Sequence, residues 1–231
     1  MKNFDKEDFR KFVKSTCSSS TLDYYDKVQG GMLGIKNGYI NPTILEEREM
    51  NVTQMDIFSR LMAERTIFFG SDFNSHVCNV VIAQLLYLDS AGSGDITMYV
   101  NSPGGSVIDG YGVLDCMHFI KSDVSTICTG LAASMGSLLL MNGTRGKRSA
   151  LPLSRVMIHQ PLGGASGQAT DILIEAEQIK QIRKEIYEII AQRTNQPIKK
   201  ISKDCERDYW MTAKEAKEYG IIDNVIEVKR D

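Results

Sequence analysis

Apolar and polar positions follow a regular pattern from Asp56 onward, in which strand-like and helix-like segments alternate. Short apolar runs bounded by turn residues predict strands, at 66–70, 95–100, 124–129, 155–159 and 221–228. Apolar side chains at three- and four-residue spacing predict helices between them, at 74–89, 106–121 and 133–141. This alternation favours an α/β fold with a mostly parallel sheet, whose strands end at one edge, where sites usually lie.

A longer helix is predicted over Asp171–Thr194, where charged side chains fill one face. Its apolar face is formed by Ile172, Ala176, Ile179, Ile182, Ile186, Ile189 and Ile190. Such a helix packs against the core of its own chain, and its length also suits an arm that meets a partner subunit. Farther on, Thr212 and Glu215 have the spacing of a capping box, and Gly220 is placed to end that helix.

Residues 1–41 differ from the rest of the chain, with a serine run and a pair of glycines. They lack the apolar region of a secretory signal, and their early acidic residues argue against an organellar transit peptide. We therefore expect either a loosely ordered extension or a removable pro-segment.

The composition excludes several classes of protein. The 231 residues include 27 basic and 29 acidic side chains, a near balance that gives no general attraction to nucleic acid or acidic membranes. With 42% hydrophobic and 24% charged residues, wholesale disorder is not expected. No apolar run reaches the roughly 18 residues of a membrane span. The five cysteines include no CxxC pair, so they favour neither a disulfide framework nor a zinc site, and they indicate a reducing compartment. The three histidines are too scattered to indicate a metal site.

The segment Gly130–Gly136 places Ser134 between a predicted strand and a predicted helix. A serine on a sharp strand-to-helix turn projects its hydroxyl, and small neighbours let a substrate backbone approach. The free N–H groups of the helix start would stabilise a developing oxyanion. The pattern is close to the nucleophile elbow G-x-S-x-G, with Ala132 in place of the first glycine. Close packing of small residues is the structural alternative.

His159 ends a predicted apolar strand, and Pro161 with the glycines behind it predicts an abrupt exit from that strand. This would place the imidazole at the strand edge that also carries Ser134. Histidine titrates near neutral pH and can take the proton that makes a serine hydroxyl nucleophilic. The structural alternative is a histidine that only packs in the core with its hydrogen bonds satisfied.

A third group must orient the imidazole, and the spacing does not choose among the downstream aspartates Asp171, Asp204, Asp208 and Asp223. Asp171 is placed to cap a helix and Asp223 falls in a predicted strand. Asp208 lies beside the only tryptophan, in a partly apolar setting where a carboxylate needs a partner.

The segment Asn101–Ser106 (NSPGGS) follows a predicted strand and opens a helix. It has neither the G-x-G-x-x-G nor the Walker lysine pattern of a phosphate loop. Its N–H groups could instead form half of an oxyanion hole or pair with an extended peptide.

Together these segments resemble the ClpP family of ATP-dependent serine proteases, from about Asn41 to Val228. The resemblance is carried by five ordered motifs, DIFSRLMAERTIFFG (56–70), YVNSPGGSV (99–107), STICTGLAASMGS (125–137), RVMIHQPLGG (155–164) and ERDYWMTAKEAKEYGIID (206–223). It implies a catalytic triad of Ser134 as nucleophile, His159 as base and Asp208 as orienting carboxylate. It also implies an oxyanion hole formed by the backbone N–H groups of Gly105 and Met135.

The resemblance further implies a ClpP/crotonase-like α/β fold with repeated ββα units and a projecting handle helix. The expected divisions are an extension or pro-segment at 1–41, an axial gating segment at 42–55, and a serine peptidase domain at 56–231 that includes a handle at 160–194. It also implies two stacked heptameric rings, which receive unfolded proteins from an AAA+ unfoldase such as ClpX, ClpA or ClpC. ATP would be used by that partner, so no cofactor or metal is expected in this chain. A cytoplasmic location and no nucleic-acid or membrane partner are expected.

Two alternatives stay open at this point. A crotonase-type acyl-CoA enzyme would share the fold but would need acidic residues at the site and no serine–histidine pair. A non-catalytic ring subunit of the same assembly would lack members of the triad.

Overall fold

The computed structural model describes residues 43–48 and 51–227. The predicted extension or pro-segment at 1–41 lies outside these residues. The chain divides into two compact units, Met1–Asp56 and Ile57–Asp231. In the first unit, strands β1 (Thr43–Arg48) and β2 (Asn51–Asp56) pair antiparallel. They fall almost entirely within the predicted gating segment at 42–55, whose role stays a prediction.

The second unit alternates strands with helices. Its strands are β3 (Thr66–Phe69), β4 (Ile96–Ser102), β5 (Val124–Ala133), β6 (Arg148–Ala150), β7 (Arg155–Ile158), β8 (Tyr209–Thr212) and β9 (Asn224–Val225). Its helices are α1 (Ile57–Ala63), α2 (Ser75–Ala91), α3 (Val107–Phe119), α4 (Met135–Met141), α5 (Ala169–Thr194), α6 (Ile198–Asp204) and α7 (Ala213–Tyr219). The predicted α/β class is confirmed.

One mostly parallel sheet organises this unit, with the order β3-β4-β5-β6-β9. Strand β5 is long enough to pair with two strands in succession, with β6 through Thr126–Cys128 and with β7 through Leu131–Ala133. Strand β8 then adds to β7 in the antiparallel direction. The ends of β5 and β7 therefore lie side by side at one edge of the sheet.

Strand β5 runs farther than its apolar pattern predicts. It was expected to end at Thr129, with a helix from Ala133, but the strand continues to Ala133 and α4 begins at Met135. Ala132 and Ala133 pair with Val156 and Met157 of β7. Small side chains carry no periodic signal, so this strand pairing was not visible in the sequence.

The long helix α5 is buried over only part of its length. The sequence predicted that the seven apolar residues pack against the core or belong to an arm that meets a partner subunit. Of those seven, only Ile186 and Ile190 are buried, together with Tyr187. Ile172, Leu173 and Ile174 in its first turns are exposed. The amino-terminal half of α5 thus offers apolar side chains that its own domain does not cover.

The carboxyl-terminal region shows both agreement and differences. The predicted capping box of Thr212 and Glu215 is confirmed, and Gly220 ends α7 in the left-handed region, with φ of 98°. The last strand, expected over 221–228, is limited to Asn224–Val225 within the described residues. The helices α1 and α6 and the strands β6 and β8 were not predicted, because segments of three to seven residues are too short to show a period. No helix in the described part of the chain combines the length and apolarity that a membrane crossing requires.

Candidate active site

Ser134 occupies the sharp turn between β5 and α4. Its backbone has φ of 54° and ψ of −122°, a strained conformation for a residue with a side chain. Its N–H donates to the carbonyl of Met157 at 2.9 Å, which holds the turn against the end of β7. This is the geometry that the elbow pattern predicts, in which the turn projects the hydroxyl away from the sheet.

The small residues around this turn are required by close backbone approaches. A Cβ added at Gly104 would lie 2.6 Å from Cβ of Ser134 and 3.0 Å from the amide nitrogen of Met135. A Cβ at Gly136 would lie 2.8 Å from the carbonyl oxygen of Ser102. The glycines therefore let the 101–106 loop lie directly against the candidate nucleophile.

His159 follows β7 and reaches the hydroxyl of Ser134. Because β5 and β7 are parallel and adjacent, the residues that follow them lie at the same sheet edge. Nε2 of His159 lies 2.8 Å from Oγ of Ser134, and the imidazole side chain is only 14% exposed. The ring is thus held close to the hydroxyl within hydrogen-bonding distance.

Asp208 lies just before the neighbouring antiparallel strand β8 and contacts the imidazole of His159. The ladder between β7 and β8 ends with the pair Ile158 and Tyr209, and His159 and Asp208 are the next residues beyond that pair on their two segments. Oδ1 of Asp208 lies 3.0 Å from Nδ1 of His159, and the carboxylate side chain is 58% exposed. The unpredicted strand β8 is therefore what brings the carboxylate to the imidazole.

The other candidate aspartates have different partners. Asp171 lies in the first turn of α5. Asp204 accepts hydrogen bonds from Nζ of Lys200 at 3.0 Å and from the hydroxyl of Tyr219 at 2.9 Å. Asp223 pairs with the guanidinium of Arg148. Of these four aspartates, Asp208 is the one that contacts His159.

The 101–106 loop presents amide groups beside Ser134. Phe73 and Gly105 form a parallel bridge, in which the N–H of Phe73 donates to the carbonyl of Gly104 and the N–H of Ser106 donates to the carbonyl of Phe73. Neither bond uses the N–H of Gly105, which is directed away from Phe73. Met135 is the first residue of α4, so its N–H points out of the helix end without an intrahelical acceptor. The two amides predicted for an oxyanion hole therefore lie on the two segments that meet at Gly104.

A cleft of about 240 Å³ opens over Ser134. Its walls are mostly apolar, and its apolar lining comprises Pro103, Val107, Met135, Leu138, Met157, Ile158, Pro161, Leu162, Ile186 and Ile190. A wall of this kind accommodates an apolar side chain of a peptide. The contribution of Ile186 and Ile190 from α5 was not foreseen, because their spacing indicated only a core-packing face.

Two buried cysteines of this domain are poor nucleophiles. Burial raises the pKa of the Cys205 thiol to about 12 and the pKa of the Cys128 thiol to about 11. Both stay protonated near neutral pH, and the thiolate is the reactive form. In the described ranges, no three histidine, cysteine or carboxylate side chains are grouped so as to hold a metal ion.

Sequence reasoning missed one residue that supports the loop. Ser102 is fully buried, and its hydroxyl donates to the carbonyl of Ser71 at 2.6 Å and accepts from the N–H of Gly104 at 3.2 Å. A serine that precedes a Pro-Gly-Gly turn is the only signal for this role in the sequence. The bond constrains the backbone next to the Gly105 amide.

Known proteins with similar sequences cover this whole region. Residues 47–229 match the family model described as Clp protease. The chain is 55% identical to the ATP-dependent Clp protease proteolytic subunit of Porphyromonas gingivalis, over 92% of this chain and 93% of the relative. It is 54% identical to the protein of the same name from Bacteroides fragilis strain YCH46, over 95% and 98% of the two chains. It is 52% identical to the ATP-dependent Clp protease proteolytic subunit 1 of Bacillus cereus, over 81% and 98%. The family-model match over residues 47–229 includes Ser134, His159 and Asp208.

Proposed function

The chain belongs to the Clp protease family as a serine endopeptidase subunit, and we propose that Ser134, His159 and Asp208 are its catalytic triad. The observation that carries this proposal is the continuous hydrogen-bonded line from Oγ of Ser134 through the imidazole to Asp208, with contacts of 2.8 Å and 3.0 Å. The mostly apolar cleft above Ser134 supports it, because an extended peptide can lie there.

The proposed reaction is acyl transfer through a covalent intermediate. Nδ1–H of His159 donates to Asp208, which leaves Nε2 free to accept the proton of the Ser134 hydroxyl as Oγ attacks the peptide carbonyl. The imidazolium then gives that proton to the leaving amine as the C–N bond breaks. A water molecule attacks the resulting ester, with His159 again as base, and Ser134 regains its proton.

The oxyanion would be stabilised by the N–H groups of Gly105 and Met135. Both groups are backbone donors on segments held in place by neighbouring glycines and by Ser102, so little reorganisation is needed as charge develops. Removal of one donor from such a site typically costs about 10²–10³-fold in rate. Main-chain donors cannot be removed by side-chain substitution, so their role is tested through the backbone that carries them.

A fluorophosphonate label combined with peptide mapping tests the nucleophile. We expect the label on Ser134, and we expect Ser134→Ala to abolish both labelling and peptide cleavage, a loss on the order of 10⁶-fold. Ser125→Ala is the matched control, because Ser125 lies on the same strand and its hydroxyl only donates to the carbonyl of Lys147. A label on another residue, or cleavage that survives Ser134→Ala, would contradict the assignment.

We also propose that the subunit works in two stacked heptameric rings with an AAA+ unfoldase such as ClpX, ClpA or ClpC. The relatives are named ATP-dependent proteolytic subunits, which supports a partner ATPase that uses the ATP while this chain carries no cofactor. The exposed Ile172, Leu173 and Ile174 at the start of α5 support a contact between copies. Light scattering after size-exclusion chromatography tests the assembly, and a stable monomer would contradict it.

In this proposal the substrates are unfolded polypeptides, cut into short peptides inside the enclosed chamber. Enclosure protects folded proteins, because they cannot reach Ser134. The four cysteines described by the structure are free and buried, which supports the proposed cytoplasmic location. The residues at 1–41 are proposed as the extension or pro-segment, and intact-mass measurement after incubation tests their removal.

The two alternatives have less support. A crotonase-type thioester enzyme would not require the contact between Ser134 and His159. A non-catalytic ring subunit would lack one of the three side chains that meet here. Failure of the fluorophosphonate to label the assembled protein would favour the non-catalytic ring subunit.

A further inference from the structure

Gln160 joins the segment that carries His159 to the segment that carries Asp208. Its backbone N–H donates to the carbonyl of Cys205 at 2.6 Å. Its side-chain amide donates from Nε2 to the carbonyl of Glu206 at 3.0 Å. One residue thus binds two successive carbonyls of the loop that leads into Asp208.

These bonds show that the chain before β8 departs from regular pairing with the β7 segment. If the pairing of Ile158 with Tyr209 continued regularly, Gln160 would lie opposite Arg207. Its bonds go instead to Cys205 and Glu206, so the chain between Glu206 and Tyr209 bulges away from a regular strand. Asp208 lies within this bulge.

Asp208 is therefore held by anchors on both sides of it. On one side, Tyr209 is paired with Ile158 in the sheet. On the other, the fully buried Cys205 and its neighbour Glu206 are bound by Gln160. The Asp208 side chain is 58% exposed, so packing around it restrains it little, and the position of its backbone decides where the carboxylate points.

We propose that Gln160 is a positioning residue, whose side-chain amide holds the 205–208 loop so that the Asp208 carboxylate meets Nδ1 of His159. This inference rests on the proposed triad and adds to it a residue that touches no reacting atom. A misplacement of about 1 Å in such a constellation can cost about 10²-fold in rate.

Gln160→Met tests the proposal, because methionine keeps a similar length and no charge but cannot donate to the Glu206 carbonyl. The matched control is Gln196→Met, since Nε2 of Gln196 also donates to a backbone carbonyl at 3.0 Å, that of Tyr219, which lies outside the 205–208 loop. We expect kcat/KM for peptide cleavage to fall about 10- to 100-fold in Gln160→Met. Gln196→Met should stay close to the parent protein.

The split between kcat and KM separates positioning from a general structural loss. Gln160 contacts no reacting atom, so loss of its bond to the Glu206 carbonyl should lower kcat through the misplaced carboxylate and leave KM close to the parent value. Gln196→Met should leave both constants close to those of the parent. Equal kcat values in the parent and both variants would overturn the proposal.

A double-mutant cycle covers the case in which Gln160→Met also weakens folding or assembly. In an Asp208→Ala background there is no carboxylate to position, so Gln160→Met should have little further effect on the labelling rate. The same fold loss in both backgrounds would show that Gln160 acts independently of Asp208 and would overturn the inference. The proposed triad would be unaffected by that result, because Ser134 labelling in the parent protein tests it separately.

Discussion

Two aspartates in this chain each pair with a cationic or titratable partner, and their surroundings are opposite. Asp223 accepts four hydrogen bonds, from the N–H of Gly146, from the N–H of Arg148, and from Nε and Nη2 of the Arg148 side chain. Its side chain is 21% exposed and that of Arg148 is 5% exposed. Asp208 is 58% exposed and contacts His159 at 3.0 Å.

The difference separates a pair that stabilises the fold from a pair that can take part in a reaction. The guanidinium of Arg148 also donates to the carbonyls of Met141 and Arg193, so it joins α4, α5 and the segment before β9. A fully bonded buried pair of this kind holds its charge and geometry. In the other pair the Asp208 side chain is mostly exposed, and the His159 ring also contacts Oγ of Ser134 at 2.8 Å.

Among the changes that test this comparison of two aspartates, Asp208→Asn is expected to have the largest effect. The amide cannot hold the tautomer in which Nε2 accepts the serine proton, and in the Ser-His-Asp template this change costs about 10⁴-fold in kcat. The free energy of unfolding should change by less than about 0.5 kcal/mol, since the side chain is mostly exposed. Peptide hydrolysis and urea unfolding measure the two quantities. A loss below about tenfold in rate would remove Asp208 from the triad.

Asp223→Leu should give the opposite pattern. It leaves the buried Arg148 guanidinium without its carboxylate, and loss of one partner of a buried pair typically costs about 3–5 kcal/mol. Urea unfolding at one fixed protein concentration measures this loss. The double variant with Arg148→Met should recover much of it, because no uncompensated charge is left buried. Full stability in Asp223→Leu alone would show that the pair contributes nothing.

Gly104→Ala sharpens the comparison on the catalytic side. The new methyl group would lie 2.6 Å from Cβ of Ser134, so the loop must move away from the nucleophile, and we expect kcat to fall about 10²-fold. Gly146→Ala is the matched control, because Gly146 also has a positive φ, of 86°, but a Cβ there meets nothing within 4 Å. Both variants carry backbone strain. Equal kcat values in the two variants would show that the contact with Ser134 does not cause the loss of kcat.

The smallest expected effect is the pH dependence that the pair of Asp223 and Arg148 gives to the free energy of unfolding. Burial by itself would raise the pKa of Asp223, but the hydrogen bonds and charge of Arg148 outweigh it and leave this pKa below its ordinary value. The pair therefore stabilises the fold fully above the ordinary aspartate pKa of about 3.9, and this part is lost as the pH falls through the lowered value. Urea unfolding between about pH 6 and pH 3 should show a steeper loss for the parent protein than for Asp223→Asn. Parallel curves would contradict this account.

The sequence predicted the parts of the site whose signals are local. The small residues of the turn at Ser134 and the abrupt exit after His159 follow from neighbouring residues, and the structure places both side chains at one sheet edge. The extension of β5 from Thr129 to Ala133 was not predicted. The choice of Asp208 over Asp223 came from the family resemblance and not from spacing. It depends on β8, which is only four residues long and carries no periodic signal.

Packing partners were harder to predict than elements. The apolar face of α5 was predicted either to pack against the core or to form part of an arm that meets a partner subunit, and the buried residues of this helix lie in its carboxyl-terminal half. The division of the chain at 41 and 55 stays a prediction, as does the gating role of the hairpin segment.

By itself, the sequence determined the α/β alternation, the elbow at Ser134 and the position of His159 at a strand end, because each depends on contacts within a few residues. Tertiary structure decided which aspartate faces the imidazole and which is neutralised by Arg148. Those pairings join residues 49 and 75 positions apart. The order of strands across the sheet sets them, and local periodicity carries no information about that order.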